Sequence, residues 1–139
     1  MKQFNKSVYL AGAISYFYNT NQPQRATVWR DKAEEFLNDY NIKCFNPCVN
    51  SHGDFSDDII VKQNIYYLNQ CDIILVDLTM ITDSVGTIFE LTTAQNANKL
   101  VVAFGKTAWE NRPHMKYLID VKFETLDDAL EHIVAAYNQ

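Results

Sequence analysis

Glu90 is the residue in this chain with the most chemistry to offer. It lies in Ser84-Val85-Gly86-Thr87-Ile88-Phe89-Glu90-Leu91, just past the apolar run Asp72-Ile73-Ile74-Leu75-Val76-Asp77-Leu78. A carboxylate set between Phe89 and Leu91 is costly to bury unless something pairs with it or uses it. Ligands of parallel α/β sheets bind beyond the carboxyl ends of the strands. A glutamate held there could attack or protonate a substrate, or simply favour the positive end of a helix.

Other polar residues gather near it in sequence. Asp83, Ser84, Gly86 and Thr87 open a helical pattern, where free backbone N–H groups attract anions or hydroxyls. Ser84 or Asp83 could equally act as the helix cap. Asp77 ends the apolar run and could hold a ligand or anchor a turn. Asn64, on an earlier helical stretch, could read a nucleobase edge or be an ordinary surface amide. Leu10-Ala11-Gly12-Ala13-Ile14-Ser15 is neither a dinucleotide fingerprint nor a phosphate-binding loop. Gly12 could still allow a close ligand approach or form a plain tight turn. Asn111-Arg112-Pro113-His114-Met115-Lys116-Tyr117 is a candidate rim loop. Cys44, Cys48 and His52 are spaced by fours but lack a fourth ligand, so neither a metal nor another cofactor is expected.

These residues need elements to hold them. Ser7 to Gly12 reads as a buried first strand, followed by a polar loop from Tyr16 to Gln24. Ala26, Trp29, Ala33, Phe36 and Leu37 recur at helical spacing from Arg25 to Tyr40. Ile42 to Pro47 is a short second strand, and Cys48 to Phe55 a loop. Ser56 or Asp57 caps a helix running to about Asn69. Cys71 to Asp77 is the third strand, and Val85 to Asn98 the next helix. Leu100 to Gly105 and Val121 to Glu124 are the last strands, with a loop from Lys106 to Lys116 between them. Thr125 caps a final helix from Leu126 to about Tyr137. Strands alternating with helices predict a parallel sheet covered on both faces.

The chain has 139 residues, enough for a single domain spanning 1–139. Its net charge is −5, with Lys and Arg scattered rather than striped, which argues against a nucleic-acid partner. No apolar run is long enough to span a membrane, and the first residues carry no signal-peptide pattern, so a cytoplasmic setting is expected. Three cysteines in such a chain argue against a disulfide framework. Cys44 and Cys71 read as buried structural thiols.

Val8-Tyr9-Leu10-Ala11-Gly12, Asn46-Pro47, the Asp72-to-Asp77 run and above all Ser84 to Leu91 resemble the nucleoside 2-deoxyribosyltransferases and the related 2′-deoxynucleoside 5′-monophosphate N-glycosidases. The resemblance implies a flavodoxin-like three-layer sandwich around a five-stranded parallel sheet. It implies that Glu90 attacks the anomeric carbon of a deoxyribose and that Tyr9 hydrogen-bonds this nucleophile. Gly12, Asn46, Asn64, Asp77, Ser84 and Gly86 are then expected around the base and sugar. Met115 resembles a methionine lent by a neighbouring subunit, which implies a homodimer or higher homo-oligomer, with Trp109 and Tyr117 as candidate contacts. The ligand would be a small-molecule deoxynucleoside or deoxynucleotide.

Two positions depart from the pattern. Asn64 stands where the family carries an aspartate that handles the base proton, so that proton must come from water, from Asp57, or not at all. Ser84 matches a sugar-binding aspartate of the transferases but a phosphate-binding serine of the hydrolases. The first loop lacks the serine and arginine that clamp a 5′-phosphate, although Arg112 or Lys116 of a neighbour could serve. A transferase is the leading expectation, a monophosphate N-glycosidase the alternative, and a nucleotide-binding sensor without turnover the third.

Overall fold

A computed structural model describes residues 6–50 and 56–137. Five strands form one parallel sheet: β1 (Lys6–Ala11), β2 (Ile42–Phe45), β3 (Ile73–Asp77), β4 (Leu100–Phe104) and β5 (Val121–Phe123). Their order is β2-β1-β3-β4-β5, with Tyr9 level with Phe45 on one side and Ile74 on the other. This is the flavodoxin-like order, in which the direction of winding reverses between β1 and β3.

The helices are α1 (Ser15–Asn19), α2 (Gln24–Asn38), α3 (Pro47–Asn50), α4 (Asp57–Gln70), α5 (Val85–Asn96), α6 (Pro113–Leu118) and α7 (Leu126–Tyr137). Alternating strand side chains face opposite layers. Tyr9, Ala11, Ile74, Val76, Val101 and Ala103 pack against Leu68 of α4, Leu91 and Ala94 of α5, and Met115 and Leu118 of α6. Val8, Leu10, Ile73, Leu75 and Val102 pack against Ala33 and Leu37 of α2 and Ala129, Leu130 and Ile133 of α7. Each fully buried leucine or isoleucine in these layers stabilises the fold by roughly 1.5–3 kcal/mol.

Two expected loops are partly helical. Residues 15–19 form α1 because Phe17 inserts its ring into a small cluster with Ala13, Ala26 and Cys48 at the strand ends. Residues 113–118 form α6, which opens on Pro113 and turns Met115 and Leu118 inward. In both, the polar composition obscured a short buried stripe. The expected loop after β2 also begins with the turn of α3, while His52, Gly53 and Asp54 lie outside the described residues. Thr125 caps α7 as expected, accepting the Asp128 N–H at 3.2 Å. Cys71 is buried but Cys44 is only half-buried. No helix among the described residues is long and apolar enough to cross a membrane.

Candidate active site

At the carboxyl ends of β1 and β3 the sheet opens into a cavity of about 790 Å³. The turn after β1, the helices α1 and α4, and the first turns of α5 enclose it. Gly12 sits in the turn at φ 151°, a conformation that L side chains rarely adopt. A Cβ there would stand 3.3 Å from Asp77 Cβ and 3.4 Å from Arg30 Nη2, a tight fit that these neighbours would have to relieve by moving a few tenths of an ångström.

Glu90 lines the cavity one and a half turns into α5, and the Tyr9 hydroxyl of β1 donates a hydrogen bond to its Oε2. Period-2 alternation aims Tyr9 at the layer that holds α5, while stacking on Phe45 at 5.3 Å fixes its ring. Burial pushes the Glu90 carboxyl up to about 7, against the opposing effects of the Tyr9 hydrogen bond and the Arg30 charge. Burial, reinforced by the Glu90 charge, drives the Tyr9 phenol well above its usual range, so Tyr9 remains a donor. The pair is thus a carboxyl poised between its two states and a fixed proton donor.

Ser84 and Gly86 also line the cavity, together with Asp83, Thr87 and Phe89. Ser84 caps α5: its Oγ accepts the Thr87 N–H at 3.3 Å and lies 2.5 Å from Thr87 Oγ1. Asp57, Ile60, Val61 and Asn64 of α4 form the opposite wall, at spacings that share one helix face. Asn64 Oδ1 is shielded from solvent and has no hydrogen-bond partner among the described residues, which leaves it free to accept from a ligand.

Three expected site residues stand elsewhere. Asn46 is buried, and its Oδ1 accepts the Cys48 N–H at 3.0 Å, a local turn that uses the amide to start α3. Asp77 is buried, with Oδ1 accepting the Thr79 N–H at 2.9 Å, so it anchors the turn after β3. Burial raises its carboxyl, opposed by the Thr79 hydrogen bonds. Met115 is 3 % exposed inside its own chain's core, where the apolar face of α6 places it, and does not line this cavity. Trp109 likewise packs against that core, with Arg112 over its ring at 5.2 Å, whereas Tyr117 is exposed.

Arg30 is a cavity residue that sequence reasoning passed over. It is fully buried on α2. Its Nε donates to the Leu10 carbonyl at 3.2 Å, Nη1 to Ala26 at 2.7 Å and Nη2 to Gly12 at 3.0 Å. The signal was there: position 30 falls four after Ala26 and three before Ala33, on the apolar stripe of its own helix. A charged residue on such a stripe needs partners. Among the described residues no group of His, Cys, Asp or Glu is arranged to hold a metal, and His52 lies outside them.

A flavodoxin-like sheet with a carboxylate in a cavity wall at its switch point, and a buried phenol bonded to that carboxylate, defines an α/β protein whose cavity lies where such sheets take their ligands. The particular family follows from the sequence: residues 5–108 match the model described as nucleoside 2-deoxyribosyltransferase like, and the chain belongs to that family. No curated protein sequence matches it significantly. Solved structures share the fold. The 2-deoxyribosyltransferase of Bacillus psychrosaccharolyticus is 22% identical with a TM-score of 0.69, over 89% of this chain and 90% of that one. The 2-desoxiribosyltransferase from Leishmania mexicana is 18% identical with a TM-score of 0.73, over 95% and 99%. The Clostridium botulinum CMP N-glycosidase BcmB is 15% identical with a TM-score of 0.65, over 94% and 98%.

Proposed function

We propose that the protein is a nucleoside 2-deoxyribosyltransferase that works through a covalent glutamyl-deoxyribose. The observation that carries this reading is the Glu90 carboxylate, hydrogen-bonded by Tyr9, in the wall of a cavity large enough for a nucleoside. An ionised Glu90 oxygen attacks C1′. The C1′–N bond breaks, its electron pair leaves with the base, and a glycosyl ester forms. The nitrogen of a second base then attacks C1′ and gives up its proton to the group that protonated the first, the ester bond breaks, and the Glu90 carboxylate is regenerated. Two displacements on opposite faces retain the configuration at C1′. A sugar without a 2-hydroxyl suits this route, because nothing there withdraws electrons from the cationic transition state.

Asn64 supports base recognition rather than acid catalysis. Its unpartnered Oδ1 suits an N–H on the base edge, while its amide group has no proton to transfer. Asp57, two turns earlier in the same wall, or water supplies the departing base with its proton. Ser84 and Gly86, at the N-terminus of α5, lie beside the sugar. Exposed Tyr18, Val61, Val85 and Phe89 at the cavity suit a neighbouring protomer, and we propose a homo-oligomer in the cytoplasm.

One observation favours the monophosphate N-glycosidase instead: Ser84 and the N-terminus of α5 face the cavity, a setting that attracts phosphate. Against it, the one cation in the wall among the described residues is Arg30, whose donors already hold three carbonyls. Incubation with deoxyinosine and adenine, followed by chromatography of the bases, separates the readings. Appearance of hypoxanthine and deoxyadenosine supports transfer. Free base without a new nucleoside, especially from a 5′-monophosphate, supports hydrolysis. Binding without turnover supports a sensor. The variant Glu90→Ala is expected to lose either activity, and retained turnover would reject the nucleophile.

A further inference from the structure

Arg30 presents a problem of charge. A guanidinium removed from water loses hydration worth several kcal/mol, and a contacting carboxylate is the usual compensation. The ion pairs among the described residues are Lys32–Asp127 and Lys122–Glu110, and Arg30 is in neither. Three of its five N–H groups go to neutral carbonyls, and its charged face rests on the Trp29 ring at 4.7 Å. Burial accordingly lowers its pKa, opposed by the nearby acidic groups Cys48, Glu90, Asp77 and Tyr9. A leucine would avoid that penalty but would supply no donor to the Leu10, Gly12 and Ala26 carbonyls. Arg30 brings both the donors and a positive charge to this position.

We infer that Arg30 is the positioning residue of this site: clamped on the carbonyls of Leu10, Gly12 and Ala26, it holds a fixed cation behind the cavity wall that keeps Glu90 ionised for attack. The inference rests on the reading of Glu90 as nucleophile.

Geometry supports it from two sides. Leu10 follows Tyr9 along β1, so the guanidinium that holds the Leu10 and Gly12 carbonyls also fixes the strand end carrying the Tyr9 hydroxyl. Arg30 and Glu90 meet the same cavity from different layers of the sandwich, one on α2 and one on α5. Among the described residues, the ionisable groups around the pair are Tyr9 from β1, Tyr16 and Tyr18 from α1, Cys48 from α3, Asp77 from β3, and Asp57 and Asp83 in the cavity wall. All of them are neutral or anionic, which leaves Arg30, among the described residues, as the cation that offsets the burial of Glu90.

The test uses the full chain. In Arg30→Gln the acid limb of kcat/KM against pH is expected to rise by about one pH unit or more, so that exchange at pH 6 falls at least tenfold and recovers at high pH. Arg30→Lys, which keeps the charge, is expected to hold the limb while lowering kcat. A purely structural role would lower the rate at every pH and leave the limb in place. That outcome in a folded Arg30→Gln variant would overturn the inference. A second measurement needs neither a folded variant at position 30 nor any turnover. In the wild-type protein the Arg30 Nε–H resonance is expected to move with the titration of Glu90, and to stop moving in Glu90→Gln. A resonance that stays flat from about pH 5 to 9 would overturn the coupling even if the protein proves to act on another substrate.

Discussion

Replacing Glu90 with Gln is expected to abolish base exchange and, at the same time, to make the protein more stable at pH 8. The carboxyl is raised from its usual 4.5 to about 7, chiefly by burial. A raised carboxyl binds its proton more tightly in the folded state. Its contribution to stability is therefore greatest below pH 4.5, declines as pH rises through about 7, and is fully lost above that. At about 1.4 kcal/mol per pH unit, the interval corresponds to roughly 3 kcal/mol. Glutamine has nearly the same shape, keeps an oxygen for the Tyr9 hydroxyl, and never ionises. For a domain of this size, roughly 3 kcal/mol moves the midpoint of thermal unfolding by about 10 °C. Unfolding followed by circular dichroism at pH 8 should show Glu90→Gln above wild type by that order, and at pH 4 the two curves should coincide. A variant less stable than wild type at pH 8, or an equal gain at both pH values, would mean that Glu90 is not a desolvated carboxylate and would refute the electrostatic argument.

Three more outcomes are expected. Tyr9→Phe keeps the stacking on Phe45 but removes a hydrogen bond to a charged acceptor, worth about 1.5–3 kcal/mol, so the acid limb of the exchange profile should rise by roughly 1–2 pH units; an unmoved limb would count against the Tyr9–Glu90 pair. Ser84→Ala removes the α5 cap and should lower unfolding free energy in urea by about 1 kcal/mol; no change would show the cap to be idle. Gly12→Ala forces a side chain into a positive-φ turn against Asp77 and Arg30, and should cost about 1–3 kcal/mol in stability along with most of the activity; wild-type unfolding and exchange would show that the turn has room.

The layered sheet was legible because its strands are short, apolar and evenly interrupted by helical patterns. Glu90 stood out as a charge between two large apolar neighbours, whereas Tyr9 was reached only through the family resemblance. What escaped notice was short or contrary to type. The five residues of α1 and six of α6 offer too few turns for a periodic signal, and Phe17 and Met115 show their inward aim only once the tertiary packing exists. Asn46 and Asp77 look like ligand residues by position, but small polar side chains close local turns just as readily. Arg30 was hidden because its neighbours in the stripe describe an ordinary apolar face, and the carbonyls that receive it lie up to 20 residues away in sequence.

The cavity is built from two materials. On its inner side Arg30, and Tyr9 behind Glu90, are sealed into the sandwich, whereas the α4 wall of Asp57, Ile60, Val61 and Asn64 belongs to a helix whose one buried residue is Leu68. Selection for a new leaving group can therefore rewrite that outer panel residue by residue, with little loss of folding free energy and no disturbance of the bond-breaking apparatus beneath. A lineage of such proteins would diverge fastest in what it accepts and slowest in what it does.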